Sequence, residues 1–235
     1  MEKKLTRKQM KSDKFALEVQ HSVQFVSGHR ELMMRWGVPA LAVVLIVAGV
    51  LYYRNYQHAA RQEALHQAMR LQNGQVGQPQ GPYVVTFPTA DARNQAVLKA
   101  WGDLAAKYPG TEEGRIGEFF LGTNEADLGH LAQAEKHFKA SIDSHNGPYA
   151  SLAKLALAQI YGGEGKVQEG AALIQSVIDH PTVLVSKDSA TLALAELLKN
   201  TDAARARKLV EPLRTSTRSA VSRAAITLDS ELIKQ

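Results

Sequence analysis

Cysteine is absent from the 235 residues, which excludes disulfides and thiolate-ligated zinc or iron–sulfur sites. Catalytic patterns are missing as well. No nucleophile elbow and no paired acids at a strand end appear. The eight histidines, His21, His29, His58, His66, His130, His137, His145 and His180, form no HExxH pair and read as surface residues. Gly162-Gly-Glu-Gly-Lys166 lacks the GxxxxGK[ST] spacing, is followed by Val167 and follows no strand, so it reads as a turn rather than a phosphate loop. Glu112-Glu113 at a helix start is explained by the helix dipole. No enzyme, no cofactor, no bound metal and no small-molecule substrate are expected. Aromatic residues are sparse at 6%, and the charge excess is only +5, from 28 Lys and Arg against 23 Asp and Glu. With a mean hydropathy of −0.22, the averages describe a slightly basic soluble protein.

The distribution overrides the averages. Residues 1–35 carry eight Lys and Arg against four Asp and Glu, a net +4 that leaves +1 for the other 200 residues. A basic body suited to nucleic acid is therefore not expected. The next 18 positions, 36–53, hold no charge and open with Trp36 and close on Tyr52 and Tyr53. As a helix they span about 27 Å, close to the hydrocarbon thickness of a bilayer. The aromatic rings at both ends suit the headgroup layers. Pro39 falls in the first turn, where amides lack intrahelical acceptors. A buried core helix would show a polar stripe, and a cleaved signal peptide would have a shorter leader and a small-residue cleavage site. A transmembrane helix over 36–53 is the expectation.

The basic leader places residues 1–35 in the cytoplasm and 54–235 outside it. Within the leader, Ser12-Asp13 is suited to cap a helix on which Phe15, Val19 and Val23, joined by Phe25 and Val26, recur at helical spacing. Two readings stay open: an amphipathic helix on anionic lipid or a membrane partner, and a plain retention signal.

From residue 54 the pattern is helical to about Gln72, then again from Asp91 to Lys107 with Val97, Trp101 and Leu104 on one face. Between them, 73–88 is an insertion. Its breaker-dense stretch 73–82 precedes an extended Tyr83-Val-Val-Thr-Phe87, which either pairs with the array or is a flexible excursion. Four columns then recur every 36 residues. Gly129, Gly165 and Thr201 occupy turns, and Leu121, Leu157 and Ala193 occupy first helices. Ala134, Gly170 and Ala206 are the small residues of second helices, with Phe138, Ile174 and Val210 as the bulky residues one turn later. This period predicts stacked helical hairpins, each unable to bury its apolar face alone. A last helix over about 217–233, with Ala220, Ala224, Leu228 and Leu232 taken as one stripe, either caps the final hairpin or pairs with a second copy.

Leu121-Gly122, Gly129, Ala134 and Phe138 resemble the tetratricopeptide signature, and Leu157-Ala158, Tyr161 and Gly165 repeat it. Glu118 stands where a Trp is usual, Ser141 where an Ala is usual, and the closing Pro is displaced to Pro148 and Pro181. The resemblance implies an all-α fold: one N-terminal transmembrane helix followed by a tetratricopeptide-like α-helical solenoid. Over 14–213 the combination of basic tail, membrane helix and divergent array resembles the ancillary-subunit family of the bacterial Sec translocon, which also groups with a cell-division coordinator. That resemblance implies a single-pass protein of the bacterial inner membrane, with its array in the periplasm. Partners would be translocon channel subunits, translocating chains or extracytoplasmic chaperones. An adaptor for envelope assembly or division is the alternative.

Stacked hairpins curl, so their first helices line a concave face. Exposed positions on those helices are Phe119, Thr123 and Asp127 in one repeat and Leu152, Leu155 and Gln159 in the next. These are candidate protein-binding residues. Phe119, Leu152 and Leu155 equally fit ordinary inter-repeat core.

Overall fold

In a computed structural model of the chain, residues 33–78, 81, 84–142 and 147–233 are described. The leader expectation, with its Ser12-Asp13 cap, therefore lies outside the described residues, as do His21, His29 and His145. The chain divides into two compact units at Ala59 and Ala60.

The first unit contains a π-helical turn, Met33–Gly37, that runs into α1 (Val38–Gln72). Arg35–Gln72 is long and apolar enough to cross a membrane, with a mean hydropathy of 2.0 over its most apolar window and none of that window buried. Trp36, Tyr52 and Tyr53 are all strongly exposed. A continuous apolar surface without packing partners is what a lipid-facing helix presents.

The second unit begins with the last turns of α1. It continues through strands β1 (Gln75–Val76) and β2 (Thr86–Phe87) and helix α2 (Ala90–Lys107). Three hairpins follow. They are α3 (Glu112–Asp127) with α4 (Leu131–Ile142), α5 (Pro148–Gly163) with α6 (Val167–Asp179), and α7 (Lys187–Leu198) with α8 (Ala203–Val210). A 3-10 turn, Glu211–Thr215, leads to α9 (Ser219–Ile233). Threonine or serine N-caps start α2, α3 and α7: Thr89, Thr111 and Ser186 each accept an amide hydrogen bond from the first turn. Pro148 opens α5, where its missing N–H costs nothing.

The insertion pairs with itself. Gln75 stands opposite Thr86 and Val76 opposite Phe87 in a parallel ladder, and the Phe87 ring lies over Gly74. The C-terminus of α1 is held by side chains rather than by a glycine cap. Arg93 donates to the carbonyls of Gln72 (2.6 Å) and Gly74 (2.9 Å). The Gln72 Oε1 accepts from Trp101 Nε1 at 2.9 Å and from Asn124 Nδ2 at 3.0 Å. Glu113, almost fully buried, accepts from Arg61 Nε at 3.1 Å and from Gln62 Nε2 at 2.9 Å.

Three apolar clusters run along the array, each bridging successive helices. Ala68, Val97, Trp101 and Leu104 form the first, with Trp101 stacked on Phe120 at 4.4 Å. Ala134, Phe138, Ala153, Leu157 and Tyr161 form the second. Ile174, Leu194, Leu198, Val210 and Leu228 belong to the third. The small-residue columns act as expected. A Cβ on Gly122 would meet the Phe138 ring at 2.7 Å, and one on Gly170 would meet the Ala158 carbonyl at 2.9 Å. Two of the departures from the tetratricopeptide pattern, Glu118 and Ser141, have local partners. Glu118 Oε2 lies 2.7 Å from His137 Nδ1, and the buried Ser141 hydroxyl donates to the Arg115 carbonyl at 3.0 Å.

Two details differ from the periodic expectation. In the third first helix the fully buried residue is Leu194, whereas Ala193 is half-buried. The turns differ as well. Gly129 and Gly165 take φ of 81° and 78°, and the amides of His130 and Lys166 close bonds to Glu125 and Tyr161, five residues back. At the third turn, where Thr201 stands in the glycine column, Asp202 instead bonds Leu198, four residues back. In α9 the buried stripe is Val221, Ala225, Leu228 and Leu232, while Ala220 and Ala224 face solvent. Positions 220 and 232 are about 120° apart around a helix at about 100° per residue, so they never shared one face. The corrected stripe packs on the last hairpin. Asp229, buried beside it, pairs with Arg207 at 3.4 Å and Arg214 at 3.1 Å.

Candidate functional site

The helices that form the second cluster also enclose an open groove of about 640 Å³. All six candidate binding residues line it: Phe119, Thr123 and Asp127 from α3, and Leu152, Leu155 and Gln159 from α5. The helical period explains the grouping, since 119, 123 and 127 share one face of α3, and 152, 155 and 159 share one face of α5. Antiparallel packing through α4 then sets these two faces side by side.

The two readings of Phe119, Leu152 and Leu155 meet in the same side chains. Each is half-buried and leans on a neighbouring cluster, yet each also contributes wall to the groove. Phe119 sits at the centre of an aromatic set, 5.3 Å from Phe120, 5.5 Å from Tyr149 and 6.1 Å from Phe138. These contacts fix its rotamer and leave one ring face to the groove. Phe138 and Ile160 are buried and supply the floor. Leu131, the first residue of α4, is 47% exposed and extends the apolar surface outward. A large apolar residue placed directly after the Gly129 turn, at the first position of a helix on which Ala134 and Phe138 are buried, is the signal that sequence reasoning missed.

Polar groups lie at the edge. Asp127, Gln159 and Glu164 are exposed, and the Thr123 hydroxyl is satisfied by the Phe119 carbonyl at 3.0 Å. A small-molecule site usually converges a few polar groups on an enclosed cavity. This groove offers an apolar floor with a polar rim, the layout of a surface that receives a stretch of chain.

On the far side of the second cluster, charges stitch the hairpins together. Tyr161 donates to Glu135 at 3.2 Å, and Lys139 reaches the same carboxylate at 2.6 Å. The Lys139 ammonium holds the Glu135 carboxyl below the usual range; Glu135, followed by Tyr161, in turn raises Lys139. Lys166 lies 5.4 Å from the centre of the Tyr161 ring and bonds Glu164 at 2.7 Å, which raises its own value. The loop 162–166 is thereby occupied by hairpin-turn contacts. Of the histidines, His58, His66, His130 and His180 are exposed, whereas His137 is half-buried against Glu118. Among the described residues no three His, Asp or Glu gather as metal ligands do.

A family model described as a tetratricopeptide repeat-like domain matches residues 33–181, the apolar helix together with the first two hairpins. No curated protein and no solved structure matches the chain.

Proposed function

Since the chain belongs to the tetratricopeptide repeat-like domain family, whose stacked hairpins present binding surfaces to other proteins, we propose that it is a membrane-anchored interaction scaffold that catalyses no reaction. The groove between α3 and α5 holds a segment of another polypeptide. The observation that carries this reading is the groove's construction: aromatic and aliphatic side chains held rigid by the array, with every charged group at the rim.

The finer assignment is an accessory of the bacterial Sec translocon that links membrane translocation to extracytoplasmic folding. Residues 36–53 cross the inner membrane, the basic leader stays in the cytoplasm, and the repeat unit works in the periplasm. Channel subunits, translocating chains or chaperones are the partners. Support comes from the eight basic residues of the leader, the single apolar helix behind them and the divergent array. The family match takes in helix and hairpins together, which favours a role tied to the membrane.

Mild solubilisation of native membranes and affinity recovery of the full chain test the assignment. Channel subunits should co-purify. Recovery of division or cell-wall synthesis proteins without channel subunits would transfer the chain to the envelope-adaptor role. Protease added outside intact inner membranes should digest the repeat unit; a protected repeat unit would overturn the orientation.

A further inference from the structure

The groove carries one sign of charge. Asp127 and Glu164 are its ionisable lining residues, and among the described residues no lysine, arginine or histidine lines it. Helix α3, which contributes Phe119, Thr123 and Asp127, bears Glu112, Glu113, Glu118, Glu125 and Asp127 against the lone Arg115. This acidity stands out in a chain whose net charge is +5.

Most of these carboxylates are already engaged. Glu113 pairs with Arg61, Glu118 with His137, and Glu125 with His130 at 2.6 Å. Glu164 pairs with Lys166 at the groove's far rim. Asp127 differs: it is exposed, lines the groove, and has no ion-pair partner among the described residues. The one cation of α5, Lys154, is itself engaged and is not part of the lining. An unpaired carboxylate beside an apolar floor attracts a cation delivered on an apolar segment and repels an anion at the same place. Such rim charges act on selectivity more than on total affinity.

We propose that the groove selects apolar polypeptide segments that carry lysine or arginine, with Asp127 receiving the cation while Phe119, Leu131, Leu152 and Leu155 hold the apolar side chains. The occupant is thus a cationic amphipathic segment of another protein. This inference rests on the groove being the binding surface, and its test separates the two ideas.

Purified full-length protein in amphipol is titrated with two labelled peptides of identical Leu and Ala content, one carrying lysines and the other glutamates, and binding is read by fluorescence anisotropy. The lysine peptide should bind more tightly at low ionic strength, and salt should narrow the gap. Asp127→Asn should reduce that preference by about two- to five-fold, the range for an exposed ion pair. Asp127→Lys should reverse it. Binding of a third, uncharged peptide to each variant is the reference against which the two charged peptides are compared. Equal binding of both charged peptides would overturn the inference and leave the groove reading intact. So would a lysine preference that survives Asp127→Lys, since the discrimination would then arise elsewhere. Leu155→Glu tests the groove reading itself: if it leaves the uncharged peptide's affinity unchanged, the groove is not the binding surface, and both ideas fall.

Discussion

Phe138 closes over Gly122 so tightly that a single added methyl at 122 would sit 2.7 Å from the ring. This contact sets the distance between α3 and α4, and α3 supplies four of the groove's lining residues, Phe119, Thr123, Ala126 and Asp127. Gly122→Ala should therefore cost about 1–3 kcal/mol through overpacking, measured by chemical denaturation. It should also weaken peptide binding, because Phe119 lies 6.1 Å from the displaced ring. A neutral result would mean the two helices are less closely fixed than described.

Glycine at the turns acts by a different mechanism, and the two can be separated. A Cβ on Gly165 meets nothing within 4 Å, so the penalty there is the left-handed φ of 78° alone. Gly165→Ala should destabilise by about 1–2 kcal/mol. Gly102, inside α2, has neither a positive φ nor a neighbour in the way. Gly102→Ala should stabilise by about 0.5–1 kcal/mol in the same denaturation series.

The repeat unit needs the end of α1 but not its apolar part. Ala68 is buried in the first cluster, and Gln72 accepts from both Trp101 and Asn124. Deleting 1–53 should release a soluble domain with an intact helical circular-dichroism spectrum and a cooperative melt. Deleting 1–72 should remove that acceptor and strip cover from Trp101, leaving a domain that melts at least several degrees lower.

Acid should loosen the contact between α4 and α5. The Lys139 ammonium keeps Glu135 below the ordinary carboxylate range, so its folded-state value lies below its unfolded one. The stabilisation is present at neutral pH and is lost as the pH falls past the ordinary carboxylate range and through the lower folded value. Lys139 is raised, so its contribution is complete at neutral pH and lost only on the alkaline side. The pair is exposed, which keeps the effect small and sensitive to salt. Between neutral and acid pH the melting temperature of wild type should fall further than that of Glu135→Gln. An identical fall would show that the pair contributes nothing.

Much of this was legible from residue spacing. The turns at Gly129 and Gly165 and the close approach at Gly170 follow from a period of 36 and from the conformational needs of glycine. The six candidate residues on the groove came from the curl of stacked hairpins and the exposed positions of their first helices. What escaped depended on one-residue shifts or on distant partners. The shift from Ala193 to Leu194 goes with a third turn that has Thr201 in place of a left-handed glycine and closes its hydrogen bond four residues back. The buried stripe of α9 begins at Val221, one residue from Ala220, and the spacing of Val221, Ala225, Leu228 and Leu232 fits one helix face where that of Ala220 and Leu232 does not. Arg93, Asn124 and Gln72 meet across up to 52 positions of chain, a relationship that local periodicity does not contain. Leu131 was missed because a single apolar residue at a helix start looks like core until its neighbours are placed.

The most direct measurement of the central claim is site-specific photocrosslinking in native membranes from Leu155, inside the groove, and from Ala172, exposed on α6 outside it. Leu155 should form discrete adducts, identified by mass spectrometry as channel subunits, translocating chains or extracytoplasmic chaperones, and Ala172 should not. The same adducts from both positions, or adducts from Ala172 alone, would contradict the claim.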